Sequence, residues 1–174
     1  METGVAAVVQ DACPCPIGEF RAHALALEET MKMMADDGRI EPGDYPLTHY
    51  FVPSLSSGGG GLYAREIHLP AGHVVVGKLH REAHLTIVLQ GSLSVVTEHG
   101  LCEVEAPCTF VTPAGTKRVA YIHTPTIWMT VHITPITGAD RLDEIEALLI
   151  APSYEALGSQ HCDAIPIGEK GENT

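Results

Sequence analysis

The chain has 174 residues, with 22 aspartates and glutamates against ten lysines and arginines, and its net charge at neutral pH is −12. This length fits a single domain, and the acidic balance excludes a nucleic-acid backbone or an anionic membrane as a general partner, because binding to either gains from basic surface. The sequence has no run of about 18 apolar residues and no basic leader, so we expect a cytoplasmic protein without a membrane span or secretory signal. The five cysteines lack paired C-x-x-C spacing and are expected to be reduced thiols.

Residues 1–61 predict an irregular arm, one helix and a flexible loop. Between Glu19 and Asp37 the apolar residues recur at alternating steps of four and three, which is the spacing of a single helical face. Gly38 is expected to end this amphipathic helix, which we place across the outside of a sheet. The run S-L-S-S-G-G-G-G at 54–61 is too flexible for a sheet and predicts a mobile loop. The predicted helical face consists of Phe20, Ala24, Leu27, Met31 and Met34.

Residues 62–136 consist of short apolar segments separated by turn residues, which predict strands. Eight such segments leave no room for crossover helices, so we expect a mainly β fold, a single antiparallel β-barrel or jelly roll. Residues 137–174 predict a short C-terminal helix over Gly138–Leu149 and a solvated tail from Gly158, within the same structural domain. The predicted strands are Leu62–Leu69, His73–Leu79, His84–Gln90, Ser92–Glu98, Leu101–Glu105, Thr109–Thr112, Lys117–His123 and Thr126–Thr134.

Several strands combine one polar and one apolar face. In His84–Gln90 the even positions carry His, Thr, Val and Gln while the odd positions are all Leu or Ile, and Thr126–Thr134 repeats the pattern with Trp, His and threonines. Because unpaired buried polar atoms are costly, such a face is expected to line a cavity. We also place the even face of Ser92–Glu98 inside the barrel, and the apolar faces under helices or a second subunit.

The register of the last two strands can be predicted from the turn between them. A turn centred on Pro125 would pair Lys117–His123 with Thr126–Thr134 in antiparallel fashion and place Arg118 opposite His132. Both side chains would then share the cavity wall. A shift of one residue in the turn would break this pairing.

Two sequence motifs resemble those of a known family. L-P-A-G at 69–72 precedes G-K-L-H at 77–80, Gly91 follows at the end of the next strand, and P-A-G-T-K-R at 113–118 forms a second turn. In these residues the segment 62–134 resembles the cupin superfamily, in which a first motif contains His-x-His and a glutamate and a second contains Pro-x-Gly and a histidine. The resemblance implies a small β-barrel, in which His80 matches a motif histidine and Gly91 the closing glycine.

This chain differs from the cupin motifs at two ligand positions. His84 falls where the family has its glutamate, and Arg118 stands where the second motif has its histidine. The segment also resembles small cupin-type proteins that are often encoded by bacteriophages, through G-K-x-H, P-A-G-T-K-R and I-W-M-T-V-H in this order. For a phage-encoded protein the expected location is the host cytoplasm.

His80, His84 and His132 are the candidate metal ligands. Imidazole binds iron, manganese, nickel and zinc, and three neutral histidines from separate strands would hold one divalent transition-metal ion with open positions for water or substrate. The alternative is that these histidines hydrogen-bond to threonines in a wet barrel. His123 is an alternative third ligand, although the register above turns it away.

Arg118 would place a permanent planar cation in the cavity wall, where it would suit a carboxylate or a phosphate. The alternative is an ion pair with Glu98 or Glu82 at the mouth of the barrel. Glu82 is also a candidate general base or fourth metal ligand. The further candidates for substrate binding are Lys78, Tyr121, Trp128 and Thr130.

Together these residues predict a metal-binding cupin enzyme that acts on a small anionic or oxygenated molecule, with oxygenation, isomerisation and hydrolysis all open. The rival functions are a non-catalytic binder of a small metabolite or nucleotide and a structural subunit of an assembly. The apolar outer faces of Leu85–Leu89 and Ile127–Ile133 exceed what two short helices can cover, so a homodimer is expected.

Overall fold

The computed structural model describes residues 8–10, 17–54 and 60–157, which form two five-stranded antiparallel sheets, one two-stranded sheet and two α-helices. None of the helices in these ranges is long and apolar enough to cross a membrane. Short 3₁₀ turns at Ala139–Arg141 and Glu155–Leu157 flank the second helix and its following strand. The elements are β1 Val8–Gln10, α1 Ile17–Asp36, β2 Leu47–Pro53, β3 Gly61–Leu69, β4 Val74–Val76, β5 Leu79–His80, β6 His84–Gln90, β7 Ser92–Thr97, β8 Gly100–Glu105, β9 Cys108–Thr112, β10 Val119–Ile122, β11 Thr126–Thr134, α2 Leu142–Leu149 and β12 Ile150–Ala151.

The strands are arranged as a jelly roll of the predicted cupin type. The first sheet has the order β1-β8-β7-β10-β4 and the second β2-β3-β11-β6-β9, and β12 pairs with β5. All eight predicted strands form. The segment His73–Leu79 divides into β4 and β5 because β4 pairs with β10 whereas β5 pairs with β12. Between them, the Gly77 backbone N–H donates to the carbonyl of Arg118 at 2.8 Å. The arm adds β1, which is too short to give a periodic signal.

Two motif glycines are required by the backbone at tight turns. Gly91 joins β6 to β7 with φ +91°, and a side chain there would overlap Thr126 Oγ1 and the backbone of Pro125. Gly115 has φ +71° and donates its N–H to the carbonyl of His80 at 2.8 Å. The glycines of both cupin-like motifs therefore bring separate strands close together.

The hydrophobic core lies between the two sheets and is made of side chains from both. The even positions of β6 and β11 face inward as predicted: His132 is 3% exposed, whereas its neighbour Ile133 is 84% exposed. The core consists of Leu69, Val88, Leu93, Val95, Val104, Cys108, Ala120, Ile122 and Trp128. Cys102 is a free thiol, and Cys13, Cys15 and Cys162 lie outside the described residues.

The predicted orientation of β7 is wrong. Leu93 and Val95 face the core, while Ser94 and Val96 face outward. Alternation shows which residues share a face, but in this strand both faces carry apolar residues, so the pattern did not decide which face is inside. Glu98, beyond the end of β7, is buried because it pairs with Arg21 of the helix, with 3.1 Å between the charged atoms.

The predicted pairing of the last two strands is also wrong. β10 pairs with β4 and β7, whereas β11 pairs with β3 and β6, so the turn at Pro125 connects the two sheets. His132 therefore lies opposite Tyr63, and Arg118 precedes β10 in the other sheet. Both side chains are nevertheless buried in the interior, because the two sheets face each other.

Helix α1 is fixed to the barrel by its apolar face and by ion pairs. Phe20 and Ala24 are buried and the other members of the predicted stripe are half-buried, which confirms the amphipathic helix. The ammonium of Lys117, whose side chain is 3% exposed, lies 2.7 Å from the Glu28 carboxylate. Burial by itself would raise the pKa of Glu28, but the hydrogen bond and charge of Lys117 lower it overall. Lys117 therefore depends on Glu28 for its counter-charge.

Removing Glu28 is expected to destabilise the fold, because it leaves the Lys117 ammonium buried without a partner. We expect Glu28→Ala to lower the free energy of unfolding in urea by about 2–3 kcal/mol. Lys32→Ala removes the other ion-pair partner of Glu28, but that lysine side chain is 62% exposed, so the change should be below about 0.5 kcal/mol. Equal effects of the two substitutions would contradict this account of the helix anchor.

The outer face of the second sheet carries exposed apolar side chains on all five strands, beside the polar residues Glu66 and His68 of β3. The register places Val52, Leu62 and Ile133 side by side, and Leu85 beside Val111 in the next row. All of these side chains are more than a third exposed within the described structure. A contiguous apolar surface of this kind is typical of an interface. We refer to it as the outer apolar face, formed by Tyr50, Val52, Leu62, Leu85, Leu89, Val111 and Ile133.

We propose that a second copy of the chain covers the outer apolar face, so that the protein is a homodimer. Sedimentation velocity should then give a particle of twice the 18.6 kDa chain mass. Ile133→Glu combined with Leu89→Glu should yield monomers, whereas Val96→Glu on the outer face of the first sheet should not. A wild-type particle of one chain mass at every concentration would refute the dimer.

Candidate metal centre

Three buried histidines converge at one end of the barrel. His80 comes from β5, His84 begins β6 and His132 lies near the end of β11, and all three are less than 9% exposed. Their ring centroids are 4.2 to 4.9 Å apart, and one ring nitrogen from each lies within 4.8 Å of the others. The structure therefore brings together the three histidines that the sequence predicts as ligands.

The strand register and one turn hold these rings in place. Val131 pairs with Leu85, so the residues that follow in the ladder, His132 and His84, meet at the end of β11 and β6. His80 is held from two sides: Ile150 of β12 pairs with it, and its carbonyl accepts the Gly115 N–H. Strand β12, which follows α2, therefore fixes β5, the strand that carries His80.

The hydrogen bonding of the ring nitrogens suits metal binding. His84 Nδ1 donates to the Glu82 backbone carbonyl at 3.3 Å, which leaves the lone pair of Nε2 available. His84 Nε2 and His80 Nδ1 are both buried without a hydrogen-bond partner. Two interior threonines bond to each other and not to the histidines, since the hydroxyls of Thr86 and Thr112 lie 2.7 Å apart. Two buried nitrogens thus lack a partner that an ion would supply.

The histidines are neutral at physiological pH. Burial, together with the smaller effect of the positive charge of Arg118, lowers the pKa of His84 to about 3 and that of His132 to about 4. Burial also lowers the pKa of His80 well below its ordinary value, and the neighbouring histidines and Arg118 add to this shift. Neutral imidazole is the form that binds transition metals, so these side chains need not lose a proton to do so.

The distances between the rings suit a single ion. Ligands at tetrahedral angles with bonds of about 2.1 Å are about 3.4 Å apart, so nitrogens within 4.8 Å of one another reach one ion by side-chain shifts of about 1 Å. Three protein ligands leave coordination positions open for water or substrate. The three histidines therefore fit one divalent transition-metal ion.

The interior beyond the histidines is arranged in layers. Next along the strands, Thr130 of β11 lies opposite Thr86 and Arg65, and after that Trp128 lies opposite Val88 and Ile67. A cavity of about 240 Å³ extends through these layers. Of the three histidines, His80 lines this cavity. The lining consists of Tyr45, Arg65, Ile67, Leu69, Val75, Val76, Gly77, Lys78, His80, Arg118, Ala120, Trp128 and Thr130.

Arg118 is buried in the cavity wall among neutral groups. Its guanidinium donates to the hydroxyls of Thr112 at 3.2 Å and Thr86 at 3.5 Å, and it lies 5.1 Å from the centroid of the Trp128 ring. Burial lowers its pKa to about 10, so it stays charged at neutral pH. The alternative ion pair is not formed, because Glu98 pairs with Arg21.

The other predicted site residues divide into two groups. Lys78, Trp128 and Thr130 line the cavity, although the Lys78 ammonium also lies 3.2 Å from the Glu146 carboxylate. Glu82 and Tyr121 do not join them. Glu82 is exposed and offers only its carbonyl to His84, and Tyr121 is 45% exposed on the outer face of β10. His123 lies outside as well, bonded to Ser94.

Sequence reasoning missed Arg65 and Tyr63, which lie on the inner face of β3. Arg65 lines the cavity, and Tyr63 stacks on His132 with 6.3 Å between ring centroids while its hydroxyl bonds His49 Nδ1 at 2.9 Å. The signal was present in L-Y-A-R-E-I-H-L, where an arginine shares its alternate positions with Tyr, Ile and Leu. A charged residue on an otherwise apolar strand face indicates a polar interior.

The two facing antiparallel sheets, with a histidine cluster between them, define a small cupin-type barrel with a candidate metal centre. No protein-family model and no curated protein matches the chain.

Among solved structures, the chain is similar to salicylate 1,2-dioxygenase from Pseudaminobacter salicylatoxidans, with 17% identity, coverage of 75% of this chain and 36% of that chain, and a TM-score of 0.43. It is also similar to KdgF from Halomonas sp., with 19% identity, coverage of 57% and 93%, and a TM-score of 0.40. A conserved protein of unknown function from Streptococcus pyogenes gives 14% identity, coverage of 53% and 76%, and a TM-score of 0.38. The chain thus spans about a third of the dioxygenase's length, and at these values none of the neighbours indicates its substrate.

The stability of the metal-free protein is expected to fall as the pH drops from 6.5 to 5. In the unfolded chain the three histidines have pKa values near 6.5, and the fold lowers them, so below pH 6.5 the unfolded state binds more protons. Their contribution to stability is complete above pH 6.5 and is lost progressively on acidification, before most carboxylates titrate. Urea midpoints across this range should fall for the wild type and for His123→Gln, and should fall less steeply for His84→Gln. A flat wild-type profile would contradict the buried neutral state.

Proposed function

We propose that the protein is a metal-dependent enzyme that acts on a small anionic or oxygenated molecule inside the barrel. His80, His84 and His132 hold a divalent ion of iron, manganese, nickel or zinc, and Arg118 holds the substrate. The observation that carries this proposal is the convergence of three buried neutral imidazoles, two of them with unpartnered ring nitrogens, beside a cavity with a buried guanidinium.

The proposed ion would supply Lewis acidity at open coordination positions next to the cavity. The chain's own residues would bind and orient the substrate. Arg118 is pre-positioned by Thr86 and Thr112, so its fork would meet an anionic group without a large loss of side-chain freedom. Trp128 and Thr130 would form the adjoining wall. Burial of the site between two sheets would limit the access of bulk water.

Protein purified from cells grown with added iron, manganese, nickel and zinc is expected to carry about one equivalent of a divalent transition metal, measured by inductively coupled plasma mass spectrometry. His84→Ala removes one of three ligands and should lower metal affinity at least ~10-fold. His123→Ala is the matched control, since that histidine is exposed and away from the site. Wild-type protein with only trace metal after supplementation would end the metal proposal.

The catalytic part of the proposal is tested by substrate consumption. Metal-loaded protein incubated with a panel of small carboxylates and phosphate esters should consume at least one compound, as followed by mass spectrometry. Both chelator treatment and His84→Ala should abolish this consumption. Metal binding without turnover of any compound on the panel would count against an enzyme.

A non-catalytic anion binder is the second candidate function. It is favoured by the neutral surroundings of Arg118, which leave its charge available to a ligand. The two functions differ in their need for the ion, because a binder keeps its affinity in chelator whereas the enzyme loses turnover.

A further inference from the structure

Arg65 brings a second positive charge to the cavity, and no described group neutralises it. It lies on the inner face of β3 opposite Thr130 and lines the cavity. Its Nε atom is buried without a hydrogen-bond partner, and none of the ion pairs among the described residues includes it. A buried guanidinium nitrogen of this kind is costly unless a ligand supplies the acceptor.

Arg118 is the other uncompensated cation, and it approaches from the opposite sheet. Arg65 belongs to β3 of the second sheet, whereas Arg118 directly precedes β10 of the first. The partners of Arg118 are two threonine hydroxyls and the Trp128 ring, which fix its position without cancelling its charge. Both arginines lie near enough to the histidines for their charge to help keep His80 and His132 unprotonated.

The cavity wall offers no negative charge in return. None of the described residues that line it is acidic, and Glu146 is paired with Lys78. Buried cations are normally paired, and a divalent ion on three neutral histidines would add to the excess of positive charge. A bound anion would supply this counter-charge.

We propose that the cavity binds a small dianion whose negative charge is shared between Arg65 and Arg118. This inference rests on the proposed function, since it names the class of substrate for the same site. A volume of about 240 Å³ corresponds to about eight water molecules, so the ligand is the size of a short dicarboxylate or a small phosphate monoester. The apolar wall of Ile67, Leu69 and Val75 suits a short hydrocarbon body between or beside the charged groups.

Calorimetric titrations with succinate, butyrate and inorganic phosphate test this proposal. Succinate and butyrate share a four-carbon chain but differ by one carboxylate, so the wild type should bind succinate at least ~10-fold more tightly than butyrate. Tight binding of phosphate with weak binding of succinate would identify a phosphate-type ligand, and the reverse a dicarboxylate. Each titration is made with metal-free and with metal-loaded protein.

Substitutions of Arg65 and Arg118 test whether both positive charges contribute to dianion binding. Arg65→Met and Arg118→Met should each weaken binding of the preferred dianion at least ~10-fold, and Arg65→Lys should lose less than Arg65→Met because it keeps the charge. Arg141→Gln is the matched control, since this exposed arginine pairs with Glu144 on the surface and should leave binding unchanged. Circular dichroism and thermal midpoints establish that each variant is folded.

The possible outcomes separate this inference from the metal proposal. Dianion binding by metal-free protein that depends on both arginines sustains the inference even if no metal is found. Metal uptake without binding of succinate or phosphate overturns it and leaves the metal centre in place. Equal affinity for succinate and butyrate in protein that also does not bind phosphate, or full affinity for the preferred dianion in Arg65→Met, also overturns it.

Discussion

The architecture depends on keeping three imidazoles neutral and buried at the end of a β-barrel. Removal from water disfavours their protonated forms, and the nearby guanidinium groups reinforce this effect. Each ring is fixed by a different contact: His132 by stacking on Tyr63, His84 by the nearby Glu82 carbonyl, and His80 by β12 and the turn after β9. The C-terminal helix α2 contributes indirectly, because it packs on Tyr63 and leads into β12.

Charge is distributed unevenly between the surface and the interior. The chain as a whole carries a net charge of −12, whereas the cavity lining contains arginines and no acidic residue among those described. Carboxylates outside the cavity neutralise other cations, as in the pairs of Glu28 with Lys117 and Glu98 with Arg21. The interior therefore retains a local positive potential that favours anions, in a protein whose overall charge does not.

The sequence was informative where one face of a strand was clearly polar. His84 and His132 lie on the polar faces of β6 and β11, and each of these strands is buried on one side and exposed on the other. The alternation in the sequence therefore correctly predicted that both rings lie in the interior. It failed for β7, where both faces contain apolar residues, and for the link between β10 and β11, where a short turn joins two sheets instead of two paired strands. The local sequence does not determine whether a short turn joins two paired strands or two separate sheets, since this depends on which strands compete for each sheet edge. Arg65 was overlooked because charged residues are usually exposed.

A crystallographic measurement tests the central claim most directly. In crystals of cobalt-loaded protein, an anomalous difference map collected above the cobalt absorption edge should show its strongest peak between His80, His84 and His132. Refined distances from this peak to one nitrogen of each ring should be about 2.0–2.2 Å. The absence of a peak at this position, or a peak only among surface carboxylates, would show that the buried imidazoles serve a purpose other than metal binding.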